Sequence, residues 1–128
     1  FSLAQIYFYK KEFGQVIKQL QKVEYPDLIT NLRAKTIYLA TLLELKEYDA
    51  ISMWSESFKA FLNRKKKEIP AARIKSYQNF ITIVRLIAGA EFGDKKFYHR
   101  VIKELDKFSG NIVNEQWLRE KLSERFRM

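Results

Sequence analysis

Apolar residues recur along this chain at intervals of three and four, the spacing that collects side chains on one face of an α-helix. Pro, Gly and short polar stretches interrupt the pattern, and no segment alternates apolar and polar residues as a half-buried strand does. The pattern therefore predicts an all-α chain of about seven helices, over residues 2–11, 15–23, 27–45, 48–64, 70–92, 95–108 and 113–125. Because the connectors are short, we expect neighbouring helices to form antiparallel hairpins.

The same pattern predicts how some of these helices pack. In the first helix Leu3, Ile6 and Tyr7 share a face that is expected to be buried. Gly89 falls inside the fifth predicted helix, where glycine costs up to ~1 kcal/mol relative to alanine, so we expect a close helix crossing there. In the last helix an apolar stripe is expected to cover the edge of the array, and its residues are Trp117, Leu118 and Leu122.

One short pattern occurs three times along the chain. A polar connector with a lysine meets an aromatic residue, and an aliphatic residue follows three positions after the aromatic. The three copies are Lys11-Glu12-Phe13 before Val16, Lys46-Glu47-Tyr48 before Ile51, and Lys96-Phe97-Tyr98 before Val101. The first two aromatics, Phe13 and Tyr48, are 35 residues apart, whereas Tyr48 and Tyr98 are 50 apart. This repetition predicts three helical hairpins with an enlarged third unit.

The order of large and small residues in these units resembles the tetratricopeptide repeat family, whose unit is a helical hairpin of about 34 residues. The first unit matches at Leu3-Ala4, Tyr7, Phe13, Val16-Ile17, Leu20 and Val23, and the third at Ala88-Gly89, Phe92, Tyr98, Val101-Ile102, Leu105 and Phe108. The middle unit departs, because Leu39 and Ile51 stand where the family has small residues. The resemblance implies a tetratricopeptide-like α-α superhelix, and a generic helical bundle is the alternative.

The connectors and the resemblance together predict a single helical-repeat domain over residues 1–128. Its hairpins are expected over about residues 1–24, 27–64 and 70–108, and a capping helix over about 113–127. The chain begins with Phe and opens directly into an amphipathic stretch, so we expect it to be a C-terminal fragment of a longer protein.

The chain is strongly basic, with 24 Lys and Arg against 15 Asp and Glu and a net charge of +9. Such a balance is typical of proteins that bind nucleic acid or anionic surfaces, and it also occurs on an ordinary solvated surface. The densest cluster is the loop Arg64-Lys65-Lys66-Lys67, and the last helix adds Arg119, Lys121, Arg125 and Arg127. Binding of nucleic acid or an anionic surface through these two elements is the alternative function.

The sequence offers little for catalysis. It has no Cys and a single His, His99, which lies among lysines and lacks further ligands at helical spacing. Acidic pairs such as Glu44 with Glu47 and Glu91 with Asp94 fall at predicted helix ends, where carboxylates are usually solvated or cap a helix. We therefore predict no catalytic residues, no metal site and no cofactor. A helical enzyme would have to assemble its site from Glu44, Glu91, tyrosines and His99.

The leading hypothesis is a non-catalytic protein-interaction or scaffold domain. In the tetratricopeptide family the first helix of each hairpin lines a groove that takes a peptide or a partner helix. The resemblance implies a groove lined here by Gln5, Tyr9, Arg33, Thr36, Ala40 and Glu44, with Arg33 as an anchor for an acidic side chain. No apolar run is long enough to span a membrane. The sequence leaves the partner, the oligomeric state and the compartment open, and it slightly favours the cytoplasm.

Overall fold

The computed structural model describes residues 1–20, 25–89 and 94–126. Within these residues the chain forms seven α-helices and no strand, which confirms the predicted all-α class and the number of helices. The helices are α1 (Ser2–Tyr9), α2 (Phe13–Leu20), α3 (Leu28–Glu44), α4 (Tyr48–Arg64), α5 (Ala71–Ala88), α6 (Lys95–Phe108) and α7 (Glu115–Phe126).

Capping residues explain several of the helix boundaries. Asp27 and Asp94 are the N-caps of α3 and α6, and each carboxylate accepts a hydrogen bond from a backbone N–H three residues later. After α6, Gly110 adopts a φ of +82°, the left-handed conformation expected of a glycine that follows a helix end. The predicted bounds of α4 and α6 agree with the structure, whereas α1 ends two residues early and α7 begins two residues late. The predicted end of α2 at residue 23 lies outside the described residues.

The repeated connector predicted from the sequence is also a repeated backbone structure in its first two copies. Lys11 and Lys46 have φ of 62° and 60°, both in the left-handed region. The N–H of the glutamate that follows each lysine donates to a carbonyl five residues back, Glu12 to Tyr7 and Glu47 to Leu42, both at 2.9 Å. This is the hydrogen bond of a Schellman helix end. The third copy differs, because its Lys96 already lies inside α6.

The expectation of a close helix crossing at Gly89 is wrong. The structure ends α5 at Ala88 and places Gly89 as the C-cap residue. A Cβ added to Gly89 would meet backbone oxygens of its own helix, at 3.4 Å and 3.9 Å, and no described atom of another helix within 4 Å. Gly89 therefore lies at the end of α5, with φ −84° and ψ −5°. The predicted continuation of this helix to residue 92 lies outside the described residues.

The chain divides into two compact units, Phe1–Trp54 and Ser55–Met128, and the division falls within α4. The predicted organisation as one repeat domain stays a prediction. In the first unit α1, α2 and α3 contact one another. Their shared core consists of Ala4, Val16, Leu20 and Ala34, and partly buried side chains pack around it: Phe1, Tyr7, Phe8, Tyr25, Ile37 and Tyr38.

The buried face of α1 differs from the predicted one. Ala4 is fully buried and Tyr7 partly so, but Leu3 and Ile6 are 45% and 49% exposed. Aromatic and aliphatic residues occur nearly all round α1, so its periodicity is compatible with more than one buried face. Packing places the small Ala4 side chain against the neighbouring helices and turns Leu3 and Ile6 outward.

The second unit is held together by contacts of α5 with α6 and α7, and of α6 with α7. Its fully buried side chains include Phe80, Ile81, Ile83, Val84, Leu105, Leu118 and Leu122. Leu118 and Leu122 belong to the predicted apolar stripe of α7, and Trp117 is partly buried near Phe80. A polar contact also crosses this unit, because the buried Asn79 amide donates to the Asn111 carbonyl at 2.9 Å.

Candidate interaction surfaces

The outward face of α1 is apolar. Leu3 and Ile6 are about half exposed, and Tyr9, one of the predicted groove residues, is 84% exposed. The three residues follow one another at intervals of three, so they lie along one side of the helix. Gln5, the other predicted groove residue on α1, is half-buried at the border of this face. We call Leu3, Ile6 and Tyr9 the α1 face.

The predicted groove residues on α3 fall into two groups. Arg33 is exposed and Glu44 is half-buried. Thr36 and Ala40 are only 4% and 1% exposed, and the Thr36 hydroxyl donates to the Leu32 carbonyl within the same helix at 2.8 Å. These two are packing residues in this structure, because side chains this deeply covered do not reach a partner. Their assignment to a groove is therefore corrected, and partner binding by the other members stays a prediction.

Arg33 keeps its charge available near the start of α3. No described carboxylate forms an ion pair with it. Hydrogen bonds from the Thr30 hydroxyl and the Thr30 N–H hold the pKa of the nearby Asp27 carboxyl below its usual value, and the charge of Arg33 contributes a smaller part. Asp27 is thus engaged in capping α3, and Arg33 can still meet an acidic group from outside.

The predicted basic loop lies between α4 and α5. Lys65 pairs with Glu68 at 3.5 Å, and the Arg64 guanidinium lies 5.8 Å from the centre of the Phe61 ring. Lys66 and Lys67 are exposed. Since Phe61 is itself buried, the loop lacks an exposed aromatic for base stacking at that position.

Two cations of the terminal helix, Arg119 and Lys121, form ion pairs with acids of the same unit. Arg119 contacts Asp106 at 2.9 Å and Glu115 at 3.1 Å, and Lys121 contacts Glu124 at 2.6 Å. Arg127, also named in the basic prediction, lies outside the described residues. Binding through this helix stays a prediction, and the ion pairs of Arg119 and Lys121 reduce the positive charge that these two residues offer to an anionic partner.

Glu115 also stabilises the connection between α6 and α7 through hydrogen bonds. Its carboxylate accepts hydrogen bonds from the Gly110 N–H at 3.0 Å and the Ser109 hydroxyl at 2.8 Å. These bonds, with a smaller contribution from Arg119, lower the pKa of the Glu115 carboxyl from its usual value. The Glu115 carboxylate at the start of α7 therefore has a structural role, because it binds the connector that precedes the helix.

A second charged surface was not singled out by the sequence prediction. The exposed side of α6 presents Lys96, Arg100, Lys103 and Lys107, flanked by Lys95 and His99. The signal was present in the sequence as cations spaced by four, three and four residues, which places them on one helix face. The run of adjacent cations at 64–67 was easier to notice, although it covers fewer residues of the chain than the cations at 96–107 do.

His99 is exposed on this same helix. In the described parts of the chain, no three His, Asp or Glu side chains come together as metal ligands would. Glu91, a candidate in the enzyme alternative, lies outside them. None of the helices formed by residues 1–20, 25–89 and 94–126 has the length and apolar character required to cross a membrane.

Comparison of the chain with models of protein families, with curated proteins and with solved structures finds no match. The resemblance to tetratricopeptide repeats therefore rests on the residues of this chain and on the repeated connectors.

Proposed function

We propose that the chain is a non-catalytic protein-interaction module of tetratricopeptide-like helical hairpins, and that the α1 face binds an amphipathic helix carrying acidic residues. The observation that carries the proposal is the exposure of Leu3, Ile6 and Tyr9 side by side on one helix. Single exposed apolar residues are common on proteins, but a contiguous apolar strip rimmed by polar residues is typical of an interaction site.

The chemistry of the partner follows from exposed cations in the same unit as this face. Lys10 and Lys11 are exposed directly after α1, and Arg33 is exposed on α3 within the same unit. None of the three forms an ion pair with a carboxylate among the described residues. An apolar helix face with acidic residues at its edge would complement both the strip and these cations.

The hairpin architecture of the proposal is supported by the repeated connectors. Two successive helix pairs are joined by the same left-handed lysine and the same glutamate hydrogen bond. The mutual contacts of α1, α2 and α3 are those that stacking of a hairpin on the next helix requires. A rigid stack of this kind presents a preformed helix face, which lowers the entropic cost of binding.

The available binding energy is modest. Leu3 and Ile6 are each about half exposed, so covering them fully is worth about 1 kcal/mol per residue. An aromatic such as Tyr9 adds a similar amount at an interface. The total of roughly 3 kcal/mol corresponds to about a 150-fold effect on affinity. Replacing Ile6 by an acid should therefore weaken binding by at least about tenfold.

The test uses peptides displayed on phage and selected on the immobilised chain. We expect enrichment of sequences that place apolar residues at helical spacing with acids beside them. An enriched peptide, measured by fluorescence anisotropy, should lose at least tenfold in affinity for the Ile6→Glu variant. Met53→Glu is the matched control, because Met53 is 63% exposed on α4 of the same unit and receives the same charge.

Three results would overturn the proposal. The first is a selection that yields no helical apolar pattern. The second is an equal loss of affinity in both variants, which would indicate a general effect of charge. Sedimentation could also show a dimer of the chain that Ile6→Glu dissociates, in which case the α1 face is occupied by a second copy.

A further inference from the structure

The exposed side of α6 carries a line of positive charge. Lys96, Arg100, Lys103 and Lys107 are all exposed. At 3.6 residues per turn they fall within about 60° around the helix axis, and at 1.5 Å per residue they extend over about 16 Å. We call these four residues the α6 stripe.

The α6 stripe is not neutralised within its unit. None of the four side chains forms an ion pair with a carboxylate in residues 1–20, 25–89 or 94–126. Asp106 lies between Lys103 and Lys107 in the chain, but its carboxylate is bonded to Arg119 at 2.9 Å. The stripe therefore differs from α7, whose Arg119 and Lys121 have acidic partners at hand.

This arrangement opposes the stability of the helix itself. Cations that are three or four residues apart on one face repel one another. Lys95 and Lys96 are the first two residues of α6, where the helix dipole disfavours positive charge, and the first turn contains no acid beyond the N-cap Asp94. A negatively charged partner would remove both penalties.

The residues around the α6 stripe favour some kinds of anionic partner over others. The large hydrophobic residues that are exposed in the described chain lie on α1, on α3 and its end, and on α4, and none is on α6. A helix that binds a membrane surface inserts an apolar face, and a protein interface needs apolar anchors at its centre. Phe97 is half-buried, with the Arg100 guanidinium 5.3 Å from its ring centre, so it is not an open platform for an unpaired base.

We propose that the α6 stripe binds the phosphate backbone of a double-stranded nucleic acid without reading its base sequence. Phosphodiester groups are evenly spaced negative charges that need no apolar contact, and lysine and arginine are the residues that neutralise them. About 16 Å of helix spans several phosphates along one strand of a duplex. This proposal involves other residues than those of the α1 face and does not rest on the proposed function.

The salt dependence of binding follows from the number of cations. Four phosphate contacts on B-form DNA give a slope of about −3.6 for the logarithm of affinity against the logarithm of salt concentration. Raising the salt from 50 to 200 mM should then weaken binding about 100-fold. Removal of two of the four charges should reduce the steepness of this slope by about 2.

The experiment measures binding of the 128-residue chain to labelled 16-base-pair duplexes of DNA and of RNA by fluorescence anisotropy. We expect binding at 50 mM salt with the slope given above, and the stronger of the two arms identifies the preferred duplex. The double variant Lys103→Gln with Lys107→Gln should bind at least tenfold more weakly at 50 mM salt. Replacing the same two lysines by arginine should retain binding.

The matched control is the double variant Lys66→Gln with Lys67→Gln, which removes the same charge from exposed positions of the basic loop in the same unit. We expect it to bind the duplex nearly as well as the unaltered chain. Equal weakening by both double variants would show that net charge alone attracts the duplex, and would overturn the assignment to α6. Circular dichroism of each variant confirms that the helices remain.

Binding of other anions to the chain tests whether a double-stranded nucleic acid is the preferred partner of the α6 stripe. A single strand of equal length bound as tightly as the duplex would refute the preference for a double-stranded backbone. Stronger binding to phosphatidylserine vesicles or to polyglutamate than to either duplex would assign α6 to a membrane surface or to an acidic protein, and would overturn the proposal. Absence of duplex binding at 50 mM salt would do the same.

Discussion

Two adjacent lysines at the end of α1 allow a sharp test of the repeated connector. Lys10 and Lys11 are both exposed, and they carry the same charge. They differ in backbone conformation, because Lys10 has φ −80° and ψ −1° whereas Lys11 has a φ of 62°. Glycine adopts the left-handed region without the Cβ clash that a lysine experiences there. Lys11→Gly should therefore stabilise the chain, and Lys10→Gly should destabilise it.

The expected change in the free energy of unfolding is the balance of two opposing contributions. Relief of the left-handed conformation is worth roughly 1–2 kcal/mol at Lys11. The greater freedom of glycine in the unfolded chain costs about 0.5–1 kcal/mol at either position. We expect a net gain of about 0.5–1 kcal/mol for Lys11→Gly and a loss of similar size for Lys10→Gly. Lys46→Gly, in the second copy of the connector, should also stabilise the chain because its φ is 60°.

Urea unfolding of the single variants, followed by circular dichroism, measures these differences. The two substitutions at positions 10 and 11 remove the same side chain and the same charge, so their difference of about 1–2 kcal/mol reports the backbone conformation alone. In thermal unfolding this difference is about 4–8 °C, at roughly 4 °C per kcal/mol for a chain of this size. Equal destabilisation by both variants would contradict a left-handed Lys11 and the helix end that the two connectors share.

Two further predictions concern polar contacts in the second unit. Asn79→Ala removes the buried amide that donates to the Asn111 carbonyl, and it should lower the free energy of unfolding by about 1–2 kcal/mol. The control is Gln78→Ala at the exposed neighbouring position, which should change the free energy of unfolding little. Equal effects of the two substitutions in urea unfolding would refute a role for the buried hydrogen bond. Glu115 has a pKa lowered in the folded state, so its stabilising contribution is present above the usual value of 4.5 and is lost as the pH falls through the lowered value. Glu115→Gln should therefore destabilise the chain at pH 7 and much less at pH 2, and a pH-independent difference would contradict this assignment.

Helix positions were largely predictable because their signals are local. Asp27 after Pro26, Asp94 before the sixth helix and Gly110 after it act through hydrogen bonds or backbone angles within a few residues. The repeat of a lysine, a glutamate and an aromatic was visible for the same reason. Gly89 shows the limit of such signals, since an isolated glycine in an apolar pattern fits either a helix interior or a helix end.

The candidate surfaces were harder to predict because exposure depends on distant parts of the chain. The resemblance placed Thr36 and Ala40 in a groove with Arg33, and the structure buries the first two and exposes the third. The basic terminal helix looked open to an anion, but Asp106 reaches Arg119 from α6. Ion pairing between helices depends on how the helices pack, and the spacing of residues within one helix gives no information about that packing.

The local order of residues was thus enough to define an all-α chain, most of its helix ends and the two matching connectors, because short-range hydrogen bonds and backbone preferences control these features. The neighbours brought together by folding decided which side of α1 is covered. That helix has apolar residues nearly all round, so no periodicity could select between Ala4 and the outward Leu3 and Ile6. Packing also determined that Arg119 of α7 meets Asp106 of α6, because electrostatic pairing between two helices acts through space and not along the chain.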